Sequence, residues 1–325
     1  MSGFYRIWSR FLLWVMLFLL LCLGFPPCLD AREKGDEKGL KVALLPILDS
    51  LPFYVAESEG YFAGSGMEIL AVPVASGLAR DQLMQSGEID GMLNEMATTA
   101  NFNRLKVQVR ILGMARKATG HQPLFRILAA PGGGPASPSD LSGIPIGISK
   151  NTIIEYVTDR VLIREGLKPE QIVKKSVPVI PERYQLLMQG RIKAATLPDP
   201  LALSAMAAGA TEVISDARYP QYSVSVLSFS LEAMKKRPEA IRFFLRAWDR
   251  ACEKINAAPD AYRDLLLKKI RVPKNVQKGY PVPSFPRKEV PAPGQWEDVM
   301  DWMIAKGLLQ EPLPYKESIT GDFLP

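Results

Sequence analysis

Histidine and cysteine are scarce in this chain, which has one histidine and three cysteines among 325 residues. Cys22 and Cys28 lie near the N-terminus, so Cys252 alone remains if that segment is removed. A zinc site needs several clustered ligands, and nucleophilic catalysis needs a nucleophile beside its base. We therefore predict no catalytic residue, no metal, no cofactor and no internal disulfide, and we interpret His121 as structural.

Strong charge of one sign is also missing. The chain has 40 basic and 34 acidic residues, a net charge of +6, and the two signs are interspersed in a pattern typical of solvated surfaces. This distribution argues against a nucleic-acid surface. The glycine run 132–134 lacks the lysine and hydroxyl of a phosphate-binding loop.

No apolar run is long enough to span a membrane comfortably. The longest, residues 11–25 after Arg6 and Arg10, would extend ~22 Å as a helix, against ~30 Å of bilayer hydrocarbon. We interpret residues 1–31 as a cleaved signal peptide and 32–39 as a tether. Retention as a membrane anchor and lipid attachment at a cysteine remain alternatives.

From residue 40 onward, short apolar runs alternate with helical segments. Residues 41–46 suit a strand buried on both faces, and a helix with an early proline, Pro52, follows and ends at Gly60. Two such series predict an α/β fold of two parallel-sheet lobes, a size that the chain length easily supports. The predicted divisions are lobe I at 40–118, lobe II at 119–221, and a return to lobe I with C-terminal helices at 222–325.

Two crossings between the lobes are predicted, near residues 116–121 and 216–221, and together they suggest a two-stranded hinge. Residues 238–255 have the periodicity of an amphipathic helix. The proline-rich segment 272–293 has no periodicity and predicts an extended surface loop.

Polar residues follow the predicted strands, where ligands bind in open parallel sheets. The polar residues also have a structural interpretation as helix caps or turn residues. Phe53, on the first turn of a helix, has the alternative of a core aromatic. Glu155 and Asp159, four residues apart on one helix face, are predicted to be solvated. The candidate ligand-binding residues are Asp49, Ser50, Phe53, Ser76, Asn94, Glu95, Thr98, Ser149, Asn151, Thr152 and Asp199.

The charge of the ligand is predicted from the same positions. Lys150 and the helix N-termini favour an anion, whereas buried carboxylates at Asp49, Glu95 and Asp199 would oppose one. No arginine occupies a strand-end position in the sequence to offset them. We therefore favour a neutral or cationic nitrogen-bearing solute, such as a pyrimidine-like heterocycle, with Phe53 as a stacking face.

Residues 41–325 resemble the periplasmic solute-binding proteins of nitrate, sulfonate, taurine and thiamine-precursor importers. The order and spacing of several stretches carry this resemblance. They are PFYVAESEGYF at 52–62, LMQSGEID at 83–90, DLSG at 140–143, GLKPEQI at 166–172, and the tail 296–309 with Pro312 and Pro314-Tyr315.

The resemblance implies a type II periplasmic-binding fold, an interlobe ligand site, and delivery of a small molecule to an ABC permease. It places ligand contacts at 49–53, 94–98, 149–152 and Asp199. An exported monomer that is not an enzyme is expected. The alternatives are an extracytoplasmic sensor, which would lack a signalling domain after residue 325, or a related enzyme such as a pyrimidine synthase. Relatives that are such enzymes look rich in cysteine and histidine at their site, and the strand-end positions of this chain contain neither.

Overall fold

The computed structural model describes residues 39–63 and 66–325. The predicted signal peptide, 1–31, and almost all of the predicted tether lie outside the described residues. Gly39, the last tether residue, is already the first residue of a strand. The structured unit therefore begins one residue earlier than the sequence predicts.

Ten strands form two five-stranded sheets within the described residues. The strands are β1 (Gly39–Leu44), β2 (Glu68–Pro73), β3 (Gly91–Glu95), β4 (Val109–Lys117), β5 (Phe125–Ala129), β6 (Ile146–Ile148), β7 (Lys174–Ser176), β8 (Ala194–Pro198), β9 (Thr211–Ser215) and β10 (Val224–Ser230). The spatial order is β2, β1, β3, β10, β4 in the first sheet and β7, β6, β8, β5, β9 in the second. Each sheet is the centre of one lobe.

Eleven α-helices accompany these sheets in the described part of the chain. They are α1 (Leu51–Ser58), α2 (Gly77–Ser86), α3 (Met96–Asn103), α4 (Ile153–Arg164), α5 (Ile180–Met188), α6 (Leu201–Ala207), α7 (Leu231–Lys236), α8 (Pro238–Ala257), α9 (Arg263–Lys269), α10 (Pro293–Ala305) and α11 (Tyr315–Ser318). Among residues 39–63 and 66–325, no helix combines the length and apolar character that crossing a membrane requires.

The predicted parallel arrangement holds for the strands that helices connect. Strands β2, β1 and β3 are mutually parallel, as are β7, β6 and β8. Each sheet also contains one strand that is antiparallel to its neighbours, β10 in the first lobe and β5 in the second. These two strands enter from the other lobe and begin where the parallel strands end, so they run in the opposite direction and make both sheets mixed.

The chain crosses between the lobes twice, close to the two predicted positions. The first crossing, 118–124, connects β4 to β5, and the second, 216–223, connects β9 to β10. The crossings contact each other, because the backbone N–H of Ala118 donates to the carbonyl of Ser223 at 3.0 Å. This is the two-stranded connection that the sequence predicts.

The amphipathic helix α8 packs on the first lobe as its periodicity predicts. Its predicted apolar face, including Phe244 and Trp248, is buried. Close packing reaches the sheet itself, since a Cβ added at Gly91 would lie 2.4 Å from the ring of Phe229. Glycine is therefore required there by the approach of an aromatic ring.

Helix α10 contacts both lobes. It packs against α3 of the first lobe, and the indole N–H of its Trp302 donates to Asp159 of α4 at 2.9 Å. Lys306 at its C-terminal end donates to Glu155 of α4 at 2.5 Å. The prediction that Glu155 and Asp159 are solvated is wrong, since both are buried. Their partners come from distant parts of the chain and leave no local sequence signal.

The proline-rich segment 272–293 is extended, but it is more than a surface loop. Tyr280, Val282 and Phe285 are buried in the core of the first lobe. Single apolar side chains separated by prolines produce no periodicity, so the sequence pattern does not reveal their burial.

Candidate functional site

The strands that lie parallel in each sheet end at the edge facing the other lobe, and the candidate residues follow them. Asp49 lies after β1 and Asp199 after β8. Ligands in open α/β sheets bind outside these carboxyl ends. The contacts of the two carboxylates therefore define the candidate site.

In the first lobe, Asp49 forms a buried ion pair with Arg116 of β4. The Arg116 Nη1 and Asp49 Oδ1 atoms are 3.2 Å apart, and Arg116 Nη2 also donates to the carbonyl of Pro123 at 3.3 Å. The neighbouring Ser50 hydroxyl donates to the carbonyl of Leu45 at 2.7 Å. Ser50 thus holds the turn that presents Asp49.

In the second lobe, Asp199 forms a two-pronged pair with Arg126 of β5. The Nε–Oδ1 and Nη2–Oδ2 distances are 3.2 and 3.3 Å, the geometry in which guanidinium binds carboxylate most specifically. Arg126 also pairs with Glu212 of β9. Burial raises the pKa of Asp199, and the charges of Arg126 and Arg116 oppose this rise.

The two pairs lie near each other across the lobe boundary. The positive charge of Arg116 in the first lobe lowers the pKa of Asp199 in the second. Tyr280 is buried beside both pairs: burial raises the pKa of its hydroxyl, and Asp199 adds to the rise while Arg116 and Arg126 oppose it. We name Asp49, Arg116, Arg126, Asp199 and Tyr280 the interlobe charge cluster.

This cluster overturns one premise of the sequence interpretation. The sequence places no arginine directly after the strands, yet Arg116 and Arg126 neutralise two of the three carboxylates expected to repel an anion. Arg126 lies within β5, which is adjacent to the strand β8 that precedes Asp199. Arg116 lies within the edge strand β4 and reaches the turn that contains Asp49. The argument against an anionic solute therefore fails.

Asp216 at the start of the second crossing is a buried carboxylate that the sequence interpretation missed. It accepts hydrogen bonds from the backbone N–H groups of Leu124 and Phe125, each at 3.0 Å. Burial raises its pKa to about 7. Asp216 thus ties the second crossing to the first, and an acidic residue at a predicted crossing is the one sequence signal that could have identified it.

Glu95 and Thr98 form a second polar group in the first lobe. Glu95 accepts from the Thr98 hydroxyl at 2.6 Å and from Nη1 of Arg80 at 3.3 Å. Arg80, on α2, is buried and also pairs with Asp81. The structure brings the two predicted residues together and adds Arg80, which the sequence interpretation missed.

Two predicted site residues lie in the interior instead. Phe53 is 1% exposed and its ring packs against Phe62 at 5.1 Å between centroids, so the prediction of a ligand-stacking face is wrong. Asn94 is 2% exposed, and its amide bonds Ser228 at 2.7 Å and Thr99 at 3.0 Å. Both side chains pack inside the first lobe, because Asn94 lies within β3 and Phe53 lies on the buried face of α1.

Other candidates serve as caps. The Ser76 hydroxyl accepts from the N–H of Ala79 at the start of α2, and the Thr152 hydroxyl accepts from the N–H of Ile154 at the start of α4. Asn151 is exposed and has a positive φ of 59°. These roles match the structural interpretation of the sequence.

Ser149 differs from these caps because it contacts a buried arginine. Nη1 of Arg183, on α5, donates to the Ser149 hydroxyl at 2.9 Å and to the carbonyl of Val177 at 2.8 Å. Arg183 has no sequence signal of its own, since a lone arginine in a helical segment predicts a solvated face. The structure instead places it beneath the loop that follows β6.

A groove of about 360 Å³ lies along the first crossing, lined partly by Lys117, Arg287 and Glu289. Lys117 pairs with Glu289 at 2.6 Å, and Arg287 pairs with Asp249 at 2.7 Å. Each of these charged side chains pairs with one of opposite sign, and the groove contains none of the sequence-predicted site residues.

Metal-binding and nucleophilic groups are sparse in the described residues. No cluster of three or more His, Cys, Asp or Glu side chains that could hold a metal occurs among residues 39–63 and 66–325. Cys252 is buried in the α8 core, where burial raises the pKa of its thiol. His121 is exposed in the first crossing.

A family model described as NMT1/THI5 like matches residues 48–262. Since this match covers well over half of the chain, the chain belongs to that family. No curated protein sequence matches the chain significantly.

Several solved structures share the fold. The ligand-binding component of an ABC-type import system from Staphylococcus aureus, with zinc bound, superposes with a TM-score of 0.75 at 13% identity, covering 88% of this chain and 98% of that one. The periplasmic aliphatic sulphonate binding protein SsuA from Escherichia coli gives a TM-score of 0.72 at 17% identity, covering 87% and 97%. The desulfurization enzyme DSZB gives a TM-score of 0.65 at 16% identity, covering 88% and 97%. At these identities the similarity establishes the fold, a two-lobed α/β periplasmic-binding architecture.

Proposed function

We propose that this protein is the exported solute-binding component of an ABC-type importer, which binds a small molecule between its lobes and delivers it to a membrane permease. The interlobe charge cluster is the observation that carries this proposal. Each lobe supplies one buried arginine–carboxylate pair at the edge facing the other lobe. A solute held between such pairs would favour the arrangement in which both lobes contact it.

The comparisons support the transport role. The Staphylococcus aureus protein of this fold is described as a ligand-binding component of an ABC-type import system, and the Escherichia coli protein as a periplasmic sulphonate-binding protein. Export through residues 1–31, an extracytoplasmic location, a monomeric state and the absence of nucleic-acid partners are parts of the same proposal. The ligand-binding residues proposed here are Asp49, Ser50, Ser76, Glu95, Thr98, Ser149, Asn151, Thr152 and Asp199, with Arg116 and Arg126 added.

The alternative function is enzymatic, because DSZB is an enzyme with this fold. A non-catalytic role is favoured by the chemistry of the described residues. Cys252 lies in the core of the first lobe and His121 is exposed in a crossing. Neither residue lies at the carboxyl end of a parallel strand, where a nucleophile or base of this fold would face the interlobe site.

The test is to secrete the mature protein in a bacterial host, remove any ligand under native conditions, and identify it by mass spectrometry. Calorimetry then measures its rebinding, and the recovered molecule is compared with the one added. We expect stoichiometric binding of one unchanged small molecule. Conversion of that molecule to a product would support the enzymatic alternative. Failure of a broad solute panel to bind would contradict the transport role.

A further inference from the structure

Arg183 is built into the second lobe at the foot of the loop that follows β6. Its side chain is fully buried and its stem crosses Gly147 of β6, where an added Cβ would lie 3.3 Å from the Arg183 Cγ and Cδ atoms. The same Cβ would lie 2.8 Å from Cδ1 of Ile192, so a larger residue at position 147 would collide with Ile192 and crowd the Arg183 stem. The Arg183 stem is therefore closely packed beneath Ser149.

The guanidinium of Arg183 is only half satisfied. Nη1 makes both of its hydrogen bonds, to Ser149 and Val177. Nε and Nη2 are buried and have no partner among the described residues. These two nitrogens form the side-on pair that binds carboxylate and similar anions through two parallel hydrogen bonds.

Two other arginines of the described residues are buried, and both form ion pairs with carboxylates. Arg80 pairs with Asp81 and Glu95, and Arg116 pairs with Asp49. Arg183 forms no ion pair with an Asp or Glu of the described residues. Burial alone lowers its pKa to about 10, so it still carries its charge at neutral pH. A buried charge without a counter-ion is costly and unusual in a stable fold.

The acid that contacts the loop after β6 already has cationic partners. Glu155, in the first turn of α4, lies close enough to accept from the N–H of Asn151 at 2.6 Å. Its carboxylate, however, pairs with Lys306 at 2.5 Å and with Lys174 at 3.2 Å. The N-terminal end of α4, a helix of twelve residues, adds positive potential to the same loop.

We propose that Arg183 anchors an anion subsite in the second lobe, where its side-on nitrogens and the Ser149 hydroxyl bind a carboxylate, sulfonate or phosphate group of the solute. This inference rests on the proposed function and specifies its substrate class as anionic. Because both nitrogens lie below the surface, the exposed residues Pro178 and Val179 move aside for the anion, while Val177 stays buried. The Ser149 hydroxyl, which donates to the carbonyl of Pro178 at 3.2 Å, then donates to the anion instead.

The experiment compares the mature wild-type protein with Arg183→Met and Arg183→Lys by thermal unfolding and calorimetry. The probes are ethanesulfonate, succinate and glycerol phosphate, each matched with a neutral analogue of similar size. Arg160→Met is the control, because Arg160 is also an arginine of the second lobe but pairs with Asp298 at 2.8 Å.

We expect at least one anionic probe to raise the unfolding midpoint of the wild type and of Arg160→Met, and to bind Arg183→Met about 10- to 100-fold more weakly. Arg183→Lys keeps the charge without the side-on pair, so its affinity should fall between the two. Without ligand, Arg183→Met should unfold at the same temperature as the wild type or higher, because it removes an uncompensated charge.

Three results would overturn the subsite. The first is that anions bind Arg183→Met as tightly as wild type. The second is that Arg183→Met unfolds several degrees lower without ligand, which would make Arg183 a structural residue satisfied by internal water. The third is that neutral or cationic solutes alone bind, which would leave the solute-binding function intact. If no probe and no solute of any charge binds, the proposed function itself fails.

Discussion

The pair between Arg126 and Asp199 gives a sharp test of the electrostatic arrangement at the lobe boundary. The side chain of Asp199 is 6% exposed and that of Arg126 is 14% exposed. Replacing Arg126 with Met leaves a buried carboxylate without its two-pronged partner, a change that typically costs about 3 to 5 kcal/mol. We expect the free energy of unfolding to fall by about 3 kcal/mol, at the low end of this range, because the positive charge of Arg116 still stabilises the Asp199 carboxylate.

A second substitution should recover part of this loss. In the Arg126→Met, Asp199→Asn double variant the buried carboxylate is neutral, and the charge left without Arg126 is that of Glu212, whose side chain is 27% exposed. The loss should therefore fall to about 1 to 2 kcal/mol. The control is Arg218→Met, whose pair with Glu165 is on the surface with Arg218 65% exposed. Surface pairs contribute about 0 to 1 kcal/mol.

The assay is urea unfolding at pH 7 and again at lower pH. The folded-state pKa of Asp199 is raised above its ordinary value of 3.8, and removing Arg126 raises it further. Stability linked to such a group is fully present below 3.8 and is lost as the pH rises through the folded-state pKa. The deficit of Arg126→Met should therefore shrink as the pH falls. A deficit below about 1 kcal/mol at pH 7, or a double variant no more stable than Arg126→Met, would refute the reasoning.

Two further predictions concern the crossings. Asp216 has a pKa raised from 3.8 to about 7, so wild-type stability should decline across this range, by on the order of 4 kcal/mol if the whole shift is expressed. Asp216→Asn should lack this decline in chemical unfolding measured against pH, and an equal slope in both proteins would contradict the assignment. Small-angle X-ray scattering should show a smaller radius of gyration when the co-purified solute is bound, because closure about 118–124 and 216–223 brings the lobes together; an unchanged radius at saturation would contradict a hinge.

Much of the fold follows from local sequence patterns. The period of residues 238–255 identifies the face that α8 buries, and the alternation of short apolar runs with capped helices identifies two α/β lobes. The segment 272–293 shows where such patterns stop being informative. Tyr280 is buried by contacts with residues far away in the chain, and no period records them.

The candidate site likewise contains residues that local sequence patterns predict and residues that only the tertiary structure brings together. Asp49 and Asp199 can be predicted because Asp199 directly follows β8 and Asp49 lies in the turn that leads from β1 to α1. Their arginine partners lie on strands that are distant in the sequence, β4 for Asp49 and β5 for Asp199, so the neutralisation of both carboxylates depends on tertiary structure, which local patterns do not contain. Phe53 illustrates the opposite error, since its position after a strand is correct while its side chain points into the core.

A crystal structure of the mature protein with its co-purified solute tests the central claim most directly. The account predicts density for one small molecule between the lobes, with contacts to the Asp49–Arg116 pair of the first lobe and the Asp199–Arg126 pair of the second. Density confined to one lobe, or located away from both pairs, would contradict it.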